Sequence, residues 1–259
     1  MKIDTDRFEV RLAETQQDVA AAQRLRYKVF VEEMGAHASD EEHAARQERD
    51  EYDPYFEHLL LIDTQAKGDP LDRVCGVYRL MRGSAARAGI GFYGASEYDL
   101  SKLKNFDRET LELGRSCIAK EHRGGLGMHM LWNALGQYVT EHDIGVLFGV
   151  ASFHNADPAP IAEALSYLHH NHLAPPELRV KALPENRAEM NLIPADEINK
   201  RRALQLIPSL IKAYVRLGGY VGEGAFVDHD FNTVDVCLIM DTQTMTDKYR
   251  AYYGRKRGA

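Results

Sequence analysis

Cysteine is scarce. The chain holds three, Cys75, Cys117 and Cys237, an odd number set in apolar runs, which speaks against a disulfide scaffold and for a reducing cytoplasm. Long apolar runs are missing as well: no stretch approaches the roughly 18 uninterrupted apolar residues of a membrane span. The opening Met1-Lys2-Ile3-Asp4-Thr5-Asp6 has neither the apolar core of a signal peptide nor the arginine bias of a transit peptide. A cytoplasmic protein is expected, with peripheral contact at the inner membrane as the open alternative. An excess of positive charge is also absent. The formal net charge of −7 argues against a general nucleic-acid binder and leaves only local basic segments to explain. Internal repeats and low-complexity segments are lacking too.

What is present reads as a folded, soluble domain. At 259 residues and 44% apolar content the chain can bury a sizeable core. Phe8 to Leu12 alternates as a short strand, and Thr15-Gln16-Gln17-Asp18 opens a helix like a capping box. In that helix Arg26, Phe30 and Met34 recur every fourth residue, beside the apolar stripe of Leu25 and Val29. The acidic stretch from Asp40 to Pro54 has no apolar period and predicts loop. His58 to Asp63 and Val74 to Arg82 predict strands, the second placing Arg79 among Cys75, Val77 and Met81. Gly145 to Ala151 is a continuous apolar run, as in a buried strand. Asp157-Pro158 then marks a helix start, with Ile161, Leu165 and Leu168 as its inner face. Four prolines between 175 and 194 predict a loop-rich excursion, and Val234 to Met240 the last strand. Strands separated by helices predict an α/β (α+β) fold with a mixed central sheet flanked by helices. A single domain over 1–259 is expected, carrying a basic insert at about 175–222 before the last strands.

The most informative stretch is 109–127. An apolar strand ends in a basic, glycine-rich turn and opens the helix-like run Met128 to Val139, which leaves backbone N–H groups free to hold an anion. Within the strand, Glu112 and Arg115 flank Gly114. Three residues apart on a regular strand they would face opposite ways, but a bulge at Gly114 would bring both to one side. The competing reading is an ion pair that locks the strand. Arg26 and Arg79 are candidates to bind a substrate carboxylate or to support an acid cluster with Asp50 and Asp53. Ser152 and His154 follow a predicted sheet strand, where polar groups often meet ligands, although a plain turn role is as good a reading.

The turn His122-Arg123-Gly124-Gly125-Leu126-Gly127 resembles the phosphopantetheine-binding motif of the GNAT N-acyltransferases, Gln/Arg-x-x-Gly-x-Gly/Ala. His122 stands where the family has Gln or Arg, which suits a donor with a single phosphate. Arg26, Phe30, Asp50, Asp53, Arg79, Phe92, Glu112 and Arg115 resemble the ordered series of the acyl-homoserine lactone synthases, with Met34 where those commonly have Trp. A longer likeness covers nearly the whole chain. Residues 112–117, 208–219 and 231–238 resemble the bacterial L-ornithine N-acyltransferases of ornithine-lipid synthesis.

That resemblance implies transfer of a fatty acyl group, typically 3-hydroxylated, from acyl carrier protein to the α-amine of ornithine, giving lyso-ornithine lipid. It implies no cofactor beyond the phosphopantetheine of the carrier protein. Glu112 and Arg115 would be catalytic, Arg26, Phe30, Asp50, Asp53, Arg79 and Ser152 would bind substrate, and His122 to Gly127 would hold the phosphopantetheine. A free amine is mostly protonated near neutrality, so Glu112 would take its proton directly or through water. Alternatives are an acyl-homoserine lactone synthase, an acyltransferase for glycine or glutamine, and a non-catalytic carrier- or membrane-binding protein.

Two tempting sites are set aside. Cys117 has no neighbouring histidine and suits packing, so no acyl-cysteine intermediate is expected. His169, His170 and His172 cannot converge from one helix face, and no metal is assigned. The segment 198–222 carries five cations and no acid. Arg201, Arg202, Lys212 and Arg216 within it, with a second basic run at 248–257, are read as docking for an acidic carrier protein or anionic lipid headgroups.

Overall fold

Alternation and capping fix the first elements of the computed structural model, which describes residues 2–244. The basic run at 248–257 therefore lies outside the described residues. In chain order the elements are β1 (Lys2–Asp4), β2 (Phe8–Leu12), α1 (Gln16–Arg26) running into a π-helix (Tyr27–Glu33), α2 (Asp40–Ala45), β3 (Glu57–Asp63), β4 (Val74–Arg82) and α3 (Gly83–Ala88). Then come β5 (Tyr98–Asp99), α4 (Ser101–Lys104), β6 (Glu109–Ile118), α5 (Leu126–Glu141) and β7 (Ile144–His154). The remainder is α6 (Ala162–His172), β8 (Lys181–Ala182), β9 (Arg187–Ala188), α7 (Lys200–Leu206), α8 (Ser209–Arg216), β10 (Tyr220–Val221), β11 (Ala225–Asp228) and β12 (Thr233–Asp241). This is a mixed α/β chain of mostly antiparallel strands flanked by helices.

The described residues fall into two compact units, 2–90 with 112–143, and 91–111 with 144–244. In the first, strands run in the order β1-β2-β3-β4-β6, antiparallel from β1 through β4. Helix α1 begins at a complete capping box, Thr15 accepting from the Asp18 amide while Asp18 accepts from the Thr15 amide. Its inner face, with Val29 of the π-helix that follows, packs Ala21, Ala22 and Leu25 against Leu60, Val74, Val77 and Cys117. Burial of such side chains contributes roughly 1.5–3 kcal/mol each. Helix α5 packs on β3 and comes so close to Leu61 that a Cβ at Gly127 would lie 2.5 Å from its Cδ2.

Two expectations fail here for local reasons. The acidic stretch is not all loop: residues 40–45 are helical, because Ser39 and Glu42 form a second capping box that needs no apolar period. The stripe of Arg26, Phe30 and Met34 is broken, because the helix widens after Arg26 and Met34 N–H donates to the Val29 carbonyl five residues back. Arg26 ends up fully buried, whereas Phe30 and Met34 are half-buried against the core cluster.

In the second unit the order is β7-β12-β11-β9, with β10 also on β12, and β5-β8 form a separate pair. β7 and β12 match over nine residue pairs, from Thr233 opposite His154 to Asp241 opposite Val146. Leu165 and Leu168 of α6 are fully buried, as their spacing predicts. The basic segment is interrupted at Ile207-Pro208, so it forms two helices, α7 and α8.

Candidate active site

Three guanidiniums and three carboxylates interlock in the first unit. Arg26, at the last turn of α1, pairs with Glu48 through Nε, donates from Nη1 to Asp53 Oδ1 at 2.5 Å and from Nη2 to the Glu48 carbonyl at 2.8 Å. Arg79, in the middle of β4, donates from Nη1 to Asp50 Oδ1 at 2.6 Å and Asp53 Oδ1 at 2.9 Å. Arg115 of β6 reaches Glu48 Oε1 at 3.1 Å and Asp50 Oδ2 at 3.2 Å. Gln23 of α1 adds a bond to Asp53 at 2.9 Å. Each carboxylate is shared between two guanidiniums, so no member can leave without stranding a buried charge.

This charge balance outweighs burial. Burial alone would raise Glu48, but the charges of Arg115 and Arg26 bring its carboxyl down to about 2. Asp53 is likewise opposed by burial and held well below the carboxylate range by Arg26 and Arg79. Beneath the network lie two residues from the edge of β3. Phe56 puts its ring 4.4 Å from the Arg79 guanidinium carbon. His58, opposite Arg79 in the β3–β4 register, donates from Nε2 to the Asp53 carbonyl at 3.1 Å. Burial lowers the His58 pKa, so this ring is neutral at pH 7.

The backbone of β6 decides where Glu112 and Arg115 point. A Cβ built on Gly114 would lie 3.9 Å from Arg79 Nε and 4.0 Å from Phe56, so position 114 looks at the network. Glu112, two residues earlier on the strand and 2% exposed, shares that face. Arg115 would face away on a regular strand. It has φ +48 instead, a left-handed residue inside β6, and its side chain swings back to Glu48 and Asp50. The expected irregularity is thus present, but the left-handed residue is Arg115 rather than Gly114. Such backbone costs on the order of 1–3 kcal/mol and persists where the surroundings hold it. Tyr52 is half-buried, and burial, Glu51 and Glu112 together raise its hydroxyl.

Past the strand, the chain makes the glycine-rich turn. Gly124 has φ +73 and Gly125 is the N-cap of α5, with no side chain capping the helix start. Gly124, Gly125 and Leu126 are exposed, so their amides face solvent where the helix dipole favours an anion. Gly127 is buried, and its missing side chain answers to Leu61, not to a ligand. The two basic side chains of the turn are committed elsewhere. His122 approaches Asp63 at 3.2 Å and stands edge-on to Phe8, while Arg123 clasps the Glu33 carboxylate at 2.5 and 2.7 Å. The cradle is therefore main-chain amide, rimmed by the exposed apolar Leu126 and Met128.

The remaining sequence candidates fall elsewhere. Phe30 packs beside the α1 core cluster. Ser152 is half-buried on β7 of the second unit, opposite Asp235. Phe92, 2% exposed, packs edge-on to Phe148 in the core of that unit. Arg201, Arg202 and Arg216 are exposed, Lys212 is half-buried, and Arg202 pairs with Glu163. Glu48, Phe56 and His58 were missed. In the run from 48 to 53 the fold buries 48 and 53, half-buries 50 and 52 and leaves 49 and 51 exposed.

Residues 25–133 match the family model described as an acetyltransferase (GNAT) domain, which encloses the ion network, β6 and the glycine-rich turn in one module. By fold and site the class is that of the GNAT N-acyltransferases. The solved structure of FeeM, an N-acyl amino acid synthase from uncultured soil microbes, shares the fold over 93% of each chain at a TM-score of 0.53, with 12% identity. Sequence likeness is far stronger to the L-ornithine N(alpha)-acyltransferase of Rhodobacter capsulatus, 52% identical over 96% of this chain and 95% of that protein. The enzyme of the same name from Agrobacterium fabrum is 42% identical over 95% of this chain and 85% of its own length. The chain belongs to the L-ornithine N(alpha)-acyltransferase family.

Proposed function

We propose that this enzyme transfers a 3-hydroxylated fatty acyl group from the phosphopantetheine thioester of acyl carrier protein to the α-amine of L-ornithine, giving lyso-ornithine lipid. The name and near full-length identity of its relatives support the amine and the reaction. The observation that carries the chemistry is the continuity of residues 112–127. A buried acid on β6 and exposed amides at the start of α5 belong to one run of chain, so thioester arm and proton acceptor are presented together.

In the reaction the neutral α-nitrogen attacks the thioester carbonyl carbon. The C–N bond forms, the C–S bond breaks, and the thiolate leaves to take a proton. The amine must first lose its own proton, to Glu112 directly or through water, because ammonium has no lone pair to offer. Arg115 alone among the three network arginines keeps exposed surface, 10% of its side chain against 0% for Arg26 and Arg79. It is the candidate to meet the amino-acid carboxylate, while Arg26 and Arg79 hold the acids in register. The phosphate of the arm would sit on the amides of Gly124 to Leu126. Arg201, Arg202, Lys212 and Arg216 would meet an acidic carrier protein or anionic headgroups, a contact that salt weakens. Among the described residues no helix is long and apolar enough to cross a membrane.

The test is incubation of the purified protein with 3-hydroxyacyl carrier protein and, separately, ornithine, glycine or glutamine, with products identified by mass spectrometry. N-acylornithine is the expected product. Preferred acylation of another amine, or acylation of none, overturns the reading.

A further inference from the structure

Three carboxylates from distant parts of the sequence converge in the second unit. Glu97 closes the turn before β5, Asp228 ends β11, and Asp235 lies within β12. One oxygen from each lies within 4.8 Å of the others. Glu97 and Asp235 are 4% and 3% exposed, and Asp228 is half-buried.

The strand register shows how they meet. Asp228 stands opposite Thr233, and Thr233 and Asp235 are two residues apart on β12, so all three side chains rise from one face of the sheet. Thr233 is 2% exposed, and its hydroxyl, on that face, has no hydrogen-bond partner. A buried hydroxyl left unbonded is unfavourable, and one on the sheet face that carries the acid cluster is suited to a ligand. Two further contacts preset the cluster. The Asp228 Oδ1 accepts from the amides of Asp230 and Phe231 at 2.8 and 2.9 Å. Tyr98 donates its hydroxyl to the main-chain carbonyls of Asp235 and Gly224 at 2.9 and 3.2 Å, fixing β12 beside Glu97.

We propose that Glu97, Asp228, Asp235 and the Thr233 hydroxyl form a binding site for a hard divalent cation of the calcium or magnesium class. A cation placed among three negative groups this close offsets their mutual repulsion. The donor set is all oxygen, with no His or Cys, which selects hard cations over zinc or copper. Its spread also fits, since oxygens at 2.3–2.6 Å from a central calcium lie at most about 5 Å apart across the ion. Half-buried Asp228 gives the ion a way in. Glu97 lies 131 or more positions before Asp228 and Asp235, and none of the three belongs to the histidine cluster at 169–172.

The full-length protein, stripped with a chelator and dialysed, would be titrated with calcium and then magnesium by calorimetry and by thermal unfolding. We expect one ion per chain and a rise in Tm that grows with ion concentration. Terbium should bind in the same place and give emission sensitised through Tyr98. Asp228→Asn, at the half-buried position, should fold and weaken the ion about tenfold or more, in line with removing a charged ligand. Thr233→Val keeps the side-chain shape, so its chelated Tm should match or exceed that of the unaltered protein while the ion-induced rise shrinks. Absence of binding at 10 mM of either ion (about tenfold beyond the weak limit for protein calcium sites), or equal responses of both variants and the unaltered protein, overturns the proposal. A proton shared among the carboxylates would give that first result.

Discussion

Glu112 is 2% exposed and lies two residues before Gly114 on β6, so replacing it with Gln removes the charge without opening a cavity. Glu112→Gln is expected to lower kcat by about 10²–10⁴-fold, the usual contribution of a positioned base, with a KM for ornithine near that of the unaltered enzyme. Steady-state kinetics on a variant of unchanged circular dichroism checks this; an unchanged kcat removes Glu112 from the proton path. Cys117 is the opposite case. Burial pushes its thiol up to about 12, so at pH 7 it is neither nucleophile nor acyl acceptor. Cys117→Ala should therefore keep its turnover, and iodoacetamide should leave the native thiol unmodified over hours; rapid alkylation or lost turnover contradicts the packing role. Residue roles of this kind were legible where a motif marked the spot, as at 112–127. Glu48 was hidden because its partners, Arg26 and Arg115, stand 22 and 67 residues away. Asp228 and Asp235 were hidden for the same reason: Glu97 joins them only after folding.

At the level of elements, the join between β3 and α5 is the tightest contact near the cradle. Gly127→Ala would force a Cβ to 2.5 Å from Leu61 Cδ2, so either the side chain or the helix start must move. The cost is expected to be about 1–3 kcal/mol, as for overpacking elsewhere, with a raised KM for the acyl donor because the amides of Gly125 and Leu126 shift. Leu61→Val removes the δ carbons, so the double variant should recover part of both losses. Denaturant titration of the four proteins gives the coupling energy; additivity would mean that the contact does not position the helix. The strands β2 and β4 were readable to the residue, since alternation and flanking turns leave one register. The irregular elements were not. A π-helix keeps the same side chains in the same order as an α-helix, and only the hydrogen-bond spacing tells them apart. The helix at 40–45 had its signal in Ser39 and Glu42, outweighed by an acidic composition that looked like loop.

For the molecule as a whole, the buried network sets how stability responds to acid. Glu48 at about 2 and Asp53 lie below their unfolded values, so the unfolded chain binds protons first as pH falls. Their stabilisation is complete above about pH 4.5 and is lost progressively toward about pH 2. His58 adds a milder limb in the same direction. Its folded pKa is lowered by burial, so the unfolded ring gains a proton below about pH 6.5 that the folded one refuses. Thermal unfolding followed from pH 8 to pH 3 should show a shallow decline beginning near pH 6.5 and a steep one below about 4.5. Arg26→Met should lower stability by about 3–5 kcal/mol at pH 7, because Glu48 and Asp53 remain buried with one fewer guanidinium. Their pKa values must then rise, so the steep acid limb of that variant should be shallower and displaced to higher pH. Equal acid limbs in the two proteins would mean that the carboxylates draw their stability from Arg79 and Arg115 alone, and that the cationic end of α1 is not what holds the acids against their own burial.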